Sequence, residues 1–464
     1  MNRKLEIYKT SILRKKVAVL GMGINNTPLI EYLYKLGVDV TVFDRTEEAA
    51  IKDRIEAFKA FPLHYRLGKN YLENLKGFDI IFKTPAVRYD IRELMEAREQ
   101  GALITSEMEV FFDLCPAEIF AVTGSDGKTT TTTIIHRLLE EAGYVCWLGG
   151  NIGTPLLNRI DEIQPEHKVV LELSSFQLQT MTVSPHVAVV TNLSPNHLDV
   201  HRSMEEYINA KKNIFRFQSP DDILVLNYDN ETTRSFAEEA ASRIVLFSRT
   251  QDPEEGAVLQ DGMLCFKQNG KIEPVLDRKE IFLPGEHNVE NFLAAIAATR
   301  EYVTPETVRK TAAGIKGIAH RIEFVRELNG VNYYNDSTGS SPNRTIATLN
   351  SFDRKVVLIA GGYDKKLSYD PLGPVLAEKV KHLILIGQTA SMIELALMAN
   401  LRGKNAFNAI RITHCSTLEQ AVYSAYFSAR KGDIVMLSPA SASFDMFRNI
   451  EERGDKFKEL VNGL

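Results

Sequence analysis

Cysteine is scarce in this chain: four in 464 residues, with Cys115, Cys146, Cys265 and Cys415 far apart and never in C-x-x-C spacing. That excludes a disulfide framework and a zinc knuckle, and it points to a reducing compartment. A charge excess is missing too, because 55 basic residues face 60 acidic ones and leave a net charge of -5. Binding to nucleic acid through overall charge is thereby excluded, and no nucleic acid is expected as a partner. No apolar run is long enough to span a bilayer, and the opening MNRKLEIYKTSILRKK lacks the apolar core of a signal peptide. The expectation is a cytoplasmic protein with no membrane insertion. Internal repeats and low-complexity tracts are also absent.

What is present reads as an α/β protein. Lys16–Leu20 is a short apolar run that ends at Gly21, followed by a helical stretch to Leu36 and a second run, Val38–Phe43. Asp79–Phe82 repeats the pattern. A second series starts at Ile119–Val122 and includes Val169–Leu173 and Val187–Leu193; a third includes Val356–Ile359, Leu383–Ile386 and Ile434–Leu437. Apolar runs alternating with helices imply βαβ units and parallel sheets. The turn-rich tract Arg243–Pro284 reads as hairpins. Together these give three α/β domains, at 1–106, 107–317 and 318–464. The outer two are Rossmann-like; the central one is a P-loop-type parallel sheet with a small hairpin region.

The segment IFAVTGSDGKTTTTTII joins a strand to a helix through Gly124, Ser125, Asp126, Gly127, Lys128, Thr129 and Thr130. Glycines let backbone N–H groups turn toward an anion, the helix N-terminus adds its dipole, and Lys128 adds a cation. The Thr129 hydroxyl can ligate magnesium. The loop is shorter than G-x-x-x-x-G-K-[ST], so the strand–loop–helix context carries the phosphate-binding reading. Glu172 ends the run VVLELSS, where a buried carboxylate is costly unless paired or metal-bound. His197 follows the next strand. On chemistry alone, a carboxylate bonded to backbone and an ordinary loop histidine remain open readings. Near the N-terminus, GMGINN with Asp44 downstream resembles a dinucleotide fingerprint, but Asn26 replaces its third glycine.

TGSDGKTT resembles the T-G-T-N-G-K-T-T loop of the Mur ligase family. GGNIGTP, ELSSFQL, TNLSPNHLDVH and LSPASASFDMF resemble its D-glutamate-adding branch. The matching blocks run from about Val17 to Phe457. The resemblance implies ATP-dependent addition of D-glutamate to UDP-N-acetylmuramoyl-L-alanine through an acyl phosphate, by a monomer using two Mg2+ ions. It implies Thr129 and Glu172 at the first ion and His197 at the second. In EEYINAKKNI it implies Lys211, selected over Lys212 by the Y-x-x-A-K spacing, as a lysine carbamylated to N6-carboxylysine beside that second ion.

The same resemblance places Asn151, Ser174 and Gln177 along the muramoyl substrate, and Asn288 and Asn291 at the nucleotide. Gly23, Asp44, Arg45 and Thr84 would border the UDP moiety. Arg321 would contact ATP phosphates and Asp336 the ribose, with His320 a candidate proton acceptor. Ser340, Lys365 and Ser443 would hold D-glutamate. Five residues depart from the family pattern: Thr338 for lysine, Asn196 for aspartate, Ser441 for cysteine, Ile450 for phenylalanine and Ala86 for glycine.

Overall fold

The computed structural model describes residues 2–23, 26–194, 201–315, 317–401 and 410–464. It divides into two compact units, Met1–Arg278 with Glu290–Thr311, and Lys279–Val289 with Ala312–Leu464.

The first unit holds two sheets. Strands β1 (Lys16–Leu20), β2 (Asp39–Asp44), β3 (His64–Leu67), β4 (Ile80–Phe82) and β5 (Leu103–Thr105) pair parallel in the order β3-β2-β1-β4-β5. Parallel sheets are covered on both faces, which is why their strands read as unbroken apolar runs. Val17, Ala18, Val19 and Leu20 are all fully buried. The helix Asn26–Lys35 buries Leu29, Ile30 and Leu33. From β1 the chain builds β2 and β3 on one side and β4 and β5 on the other, so the carboxyl ends of β1 and β4 flank a switch point.

The larger sheet contains β6 (Glu118–Thr123), β7 (Cys146–Gly150), β8 (Lys168–Glu172), β9 (Val187–Val190), β10 (Ile223–Asn227), β11 (Arg243–Ser248), β12 (Gly256–Gln260), β13 (Met263–Gln268) and β14 (Lys271–Asp277). Their order is β14-β13-β12-β11-β10-β9-β6-β8-β7, with β6 at the switch between β8 and β9. The hairpin reading of Arg243–Pro284 holds for the antiparallel β12, β13 and β14 and fails for β11, which pairs parallel to β10. The intervening helix Glu231–Ser235 and the turn Phe236–Glu238 give the connection enough length for a crossover, so this apolar run extends the parallel sheet.

In the second unit, β15 (Glu323–Leu328), β16 (Val331–Asn335), β17 (Val356–Ala360), β18 (Val380–Leu385), β19 (Arg411–His414) and β20 (Ile434–Leu437) form the sheet β15-β16-β20-β17-β18-β19. Only β15 runs antiparallel in it. The carboxyl ends of β16, β20 and β17 are neighbours, which brings their three following loops together. Among the described residues no helix is long and apolar enough to cross a membrane.

Candidate active site

The phosphate-loop sequence sits at the carboxyl end of β6 and opens the helix Lys128–Glu141. Gly124 and Gly127 have φ of 148° and 79°, backbone that side chains rarely adopt. A Cβ on Gly124 would lie 1.9 Å from Thr191 Oγ1, and one on Gly127 would lie 2.5 Å from Asn291 Oδ1. The loop is held from β9, because the Asp126 N–H donates to Asn192 Oδ1 at 2.9 Å and Thr191 Oγ1 donates to the Asp126 carbonyl at 2.6 Å. Ser125 Oγ meets both the Ser194 carbonyl, at 2.9 Å, and Tyr207 Oη, at 3.0 Å. Lys128 folds back so that Nζ donates to the Gly124 and Ser125 carbonyls, each at 3.0 Å.

Glu172 closes β8 and is 2% exposed, so its carboxylate needs partners. Thr129 Oγ1 donates to its Oε2 at 2.6 Å, and Asn151 Nδ2 donates to its Oε1 at 2.8 Å. A hydroxyl, an amide and a carboxylate at the mouth of a phosphate loop are hard oxygen-bearing groups of the kind magnesium takes.

Lys211 lies on the helix Met204–Lys212 and is 1% exposed. Its Nζ donates to Thr123 Oγ1 at 3.0 Å and to the Gly124 carbonyl at 2.9 Å, over the Tyr207 ring. Burial, reinforced by the Lys128 charge, pushes this amine well below the ordinary lysine range against the pull of Glu172 and Asp126. Lys212 instead pairs with Glu239 at the surface. His197 and Asn196 lie outside the described residues. The structure therefore brings Lys128, Thr129, Asn151, Glu172 and Lys211 to one loop.

Ser174 and Gln177 close a reciprocal capping box on the short helix Ser175–Leu178. Asn291 Oδ1 accepts from Thr131 Oγ1 at 3.2 Å, and Asn288 Nδ2 donates to the Pro284 carbonyl at 2.7 Å. Thr191 and Asn192 open the TNLSPNHLDVH motif and Tyr207 sets the Y-x-x-A-K spacing, but their role in holding the loop was not assigned from sequence, although the T-N pair ending a strand beside β6 is a usable signal.

At the N-terminal sheet, Asp44 accepts the Met22 N–H at 2.8 Å and the Thr46 N–H at 2.9 Å. Burial raises its pKa, but those two bonds and Arg54 prevail and hold it below the usual carboxylate range. Asn26 Nδ2 donates to the Leu20 carbonyl at 2.8 Å, so the residue in the third-glycine position ties the turn to its own strand. Both features count against a dinucleotide site. Thr84 abuts Gly21, while Gly23 and Arg45 are exposed.

In the second unit, Arg321 lies in a strained turn between His320 and Ile322, whose φ values are 62° and 44°. A β-branched residue there is a steric outlier. The His320 ring contacts Asn335 Nδ2 at 3.1 Å and faces Asp455 at 3.7 Å. Asp336 is fully buried and accepts from Thr348 and Ser438, each at 2.7 Å; burial raises its pKa against those bonds. Arg453, also buried, donates to Ser337, Ser441 and Ala442 and fastens two loops; burial pushes it down to about 10. Beside them the buried Ser443 hydroxyl has no partner among the described residues, Ser340 is half-buried, and Lys365 is exposed. Burial, then Arg344 and Arg453, lower the Lys365 pKa.

The chain is similar to known proteins. Residues 15–106 match the Mur ligase MurD-like N-terminal domain, 122–299 the Mur ligase middle domain, and 320–441 the Mur ligase glutamate ligase domain. The chain is 61% identical over 464 residues to a UDP-N-acetylmuramoylalanine--D-glutamate ligase from Acetivibrio thermocellus, covering 100% of both. It is 55% identical to the protein of that name from Ruminiclostridium cellulolyticum, again over 100% of both. In fold it resembles the crystal structure of UDP-N-acetylmuramate-alanine ligase MurC from Thermotoga maritima, with a TM-score of 0.60 at 20% identity, covering 97% of this chain and 99% of that one.

Proposed function

The chain belongs to the Mur ligase family, and on that premise we propose that it joins D-glutamate to UDP-N-acetylmuramoyl-L-alanine at the expense of ATP. The products are UDP-N-acetylmuramoyl-L-alanyl-D-glutamate, ADP and phosphate, and the step belongs to peptidoglycan precursor synthesis. The observation that carries this reading is full-length identity to relatives sharing one name, in a chain that retains the loop, Glu172 and Lys211.

Amide formation from a free carboxylate is uphill, so the carboxylate is first phosphorylated by ATP, and the amine then displaces phosphate from the acyl phosphate. Catalysis is positioning and charge neutralisation. The Gly124–Thr130 backbone cradles the phosphates, and Lys128 moves from the loop carbonyls to the transferring phosphoryl group. Thr129 and Glu172 would hold a first magnesium ion, whose charge offsets that of the phosphate oxygens. His197 and a carbamylated Lys211 would serve a second; the depressed basicity of Lys211 supplies the neutral amine that reacts with carbon dioxide.

Asn151, Ser174 and Gln177 line the muramoyl group; Gly23, Asp44, Arg45 and Thr84 border UDP; Asn288, Asn291, Arg321 and Asp336 serve the nucleotide. Ser340, Lys365 and the Ser443 hydroxyl, which has no partner among the described residues, take D-glutamate. We assign these roles to domains 1–106, 107–317 and 318–464 of a cytoplasmic monomer. The test is phosphate release with UDP-N-acetylmuramoyl-L-alanine, ATP and a panel of amino acids, using wild type and Lys128→Ala. Strongest turnover with an amino acid other than D-glutamate, or full activity in the variant, would overturn the reading.

A further inference from the structure

Lys83 directly follows β4 at the switch point between β1 and β4, the place where open α/β sheets hold their ligands. It is 4% exposed. Its backbone N–H is used by the Thr105 carbonyl at 2.8 Å, but its ammonium has no hydrogen-bond or ion-pair partner among the described residues. Burial lowers its pKa; Glu109 is the opposing charge and pulls the other way without a hydrogen bond. The stem is buried, but Nζ is not one of the polar atoms wholly enclosed without a partner, so the ammonium keeps contact with solvent at the switch point, where an anion arriving from outside can reach it.

The surroundings say which anion. Lys83 lines a cavity of about 20 Å³ with Asn26, Pro85, Ser106, Glu107 and Gln177. That volume holds about one water, so a ligand would meet the ammonium at the cavity mouth in place of that water. One wall is the Thr84–Pro85 turn beside Gly21, assigned above to UDP; the other carries Gln177, assigned to the muramoyl group. The group lying between uridine and sugar is the diphosphate. The substrate's other anion, the alanyl carboxylate, belongs at the phosphate loop. Glu107 also lines the cavity, but burial pushes its carboxyl up to about 7 and it accepts the Leu157 N–H at 3.1 Å, which weakens its repulsion of an anion.

We propose that Lys83 is the cation that receives the diphosphate of the sugar-nucleotide substrate. This rests on the substrate reading above and adds to it the residue that discriminates a nucleoside diphosphate from a nucleoside. The test is calorimetric binding of UDP and of uridine to the full-length wild type and Lys83→Met. The substitution should weaken UDP binding by about ten- to a hundredfold while uridine binding stays within about twofold. In steady-state assays, KM for the sugar nucleotide should rise in parallel while kcat and the KM values for ATP and D-glutamate hold. If the Met variant fails to fold, Lys83→Gln, neutral and of similar length, should show the same selective loss. An unchanged UDP-to-uridine ratio, or equal losses for both, overturns the proposal and leaves the substrate reading standing. A wild type that binds neither UDP nor the sugar nucleotide overturns both.

Discussion

Two strand–glycine–helix turns stand at two switch points of this chain, and they handle charge in opposite ways. After β6, the loop gathers cations. Lys128 rests on the Gly124 and Ser125 carbonyls, and Lys211 rests on Thr123 and the Gly124 carbonyl. After β1, an acid holds the turn, because Asp44 takes the Met22 N–H and Asn26 takes the Leu20 carbonyl. The glycine pattern thus specifies a backbone path without specifying what the path attracts. A turn whose own N–H is given to a carboxylate needs its cation from elsewhere, and Lys83 on the neighbouring strand is placed to supply it.

Replacing the cation of the first turn should have the largest effect. Lys128→Ala should lower ligation by about a thousandfold, read as phosphate release, while UDP binding at the other turn is unchanged. Next is Gly124→Ala. Its φ of 148° and a Cβ 1.9 Å from Thr191 Oγ1 force the Thr191 side chain off the Asp126 carbonyl. A loss of about 3 kcal/mol in urea unfolding is expected, with ATP binding weakened alongside. A variant as stable as wild type would mean that the loop lacks this rigid support.

The fold was legible because parallel strands must be apolar along their whole length, as β1, β6, β8 and β17 are. β11 was misread because a crossover and a hairpin differ in pairing partner, which local sequence does not carry. Around the site, Lys128 and Thr129 were legible from their adjacency to glycines. The supports were not legible from local sequence: Thr129 and Glu172, 43 residues apart, were joined only by the family resemblance, and Ser125 meets Tyr207 across 82 residues, a separation that only the sheet order closes. Lys83 passed as the neighbour of Thr84, since nothing local reveals that its side chain is buried at the switch point. The contacts of His320 with Asn335 and Asp455 are likewise invisible in AHRIE.

Asp44 tests the acid that holds the second turn, with a smaller effect. Asp44→Asn keeps the shape but replaces a charged acceptor of two N–H groups by a neutral one, at a cost of about 1–2 kcal/mol at neutral pH. Its folded pKa lies below the ordinary value, so the charge stabilises fully above the unfolded pKa of about 4 and is lost as pH falls through the folded one. Thermal unfolding of wild type should therefore lose this contribution in acid, and the Asn variant should lack that component. Equal acid sensitivity in both proteins would place the charge effect elsewhere.

The smallest change sharpens the contrast between the two turns. Among the described residues, an added Cβ on Gly23 meets nothing within 4 Å, and its φ is outside the left-handed region, whereas Gly21 nearby sits at 89°. Gly23→Ala should shift stability by less than about 0.5 kcal/mol in either direction, because it neither clashes nor strains the backbone. Gly21→Ala, by contrast, should cost about 1–2 kcal/mol from its φ alone. If Gly23→Ala nonetheless abolished UDP binding while stability held, the space over this glycine would be occupied by the ligand's own atoms. The second glycine would then be kept for close approach of substrate and the first for the turn, a division that the fully folded first loop, with both of its glycines hemmed in by protein atoms, does not make.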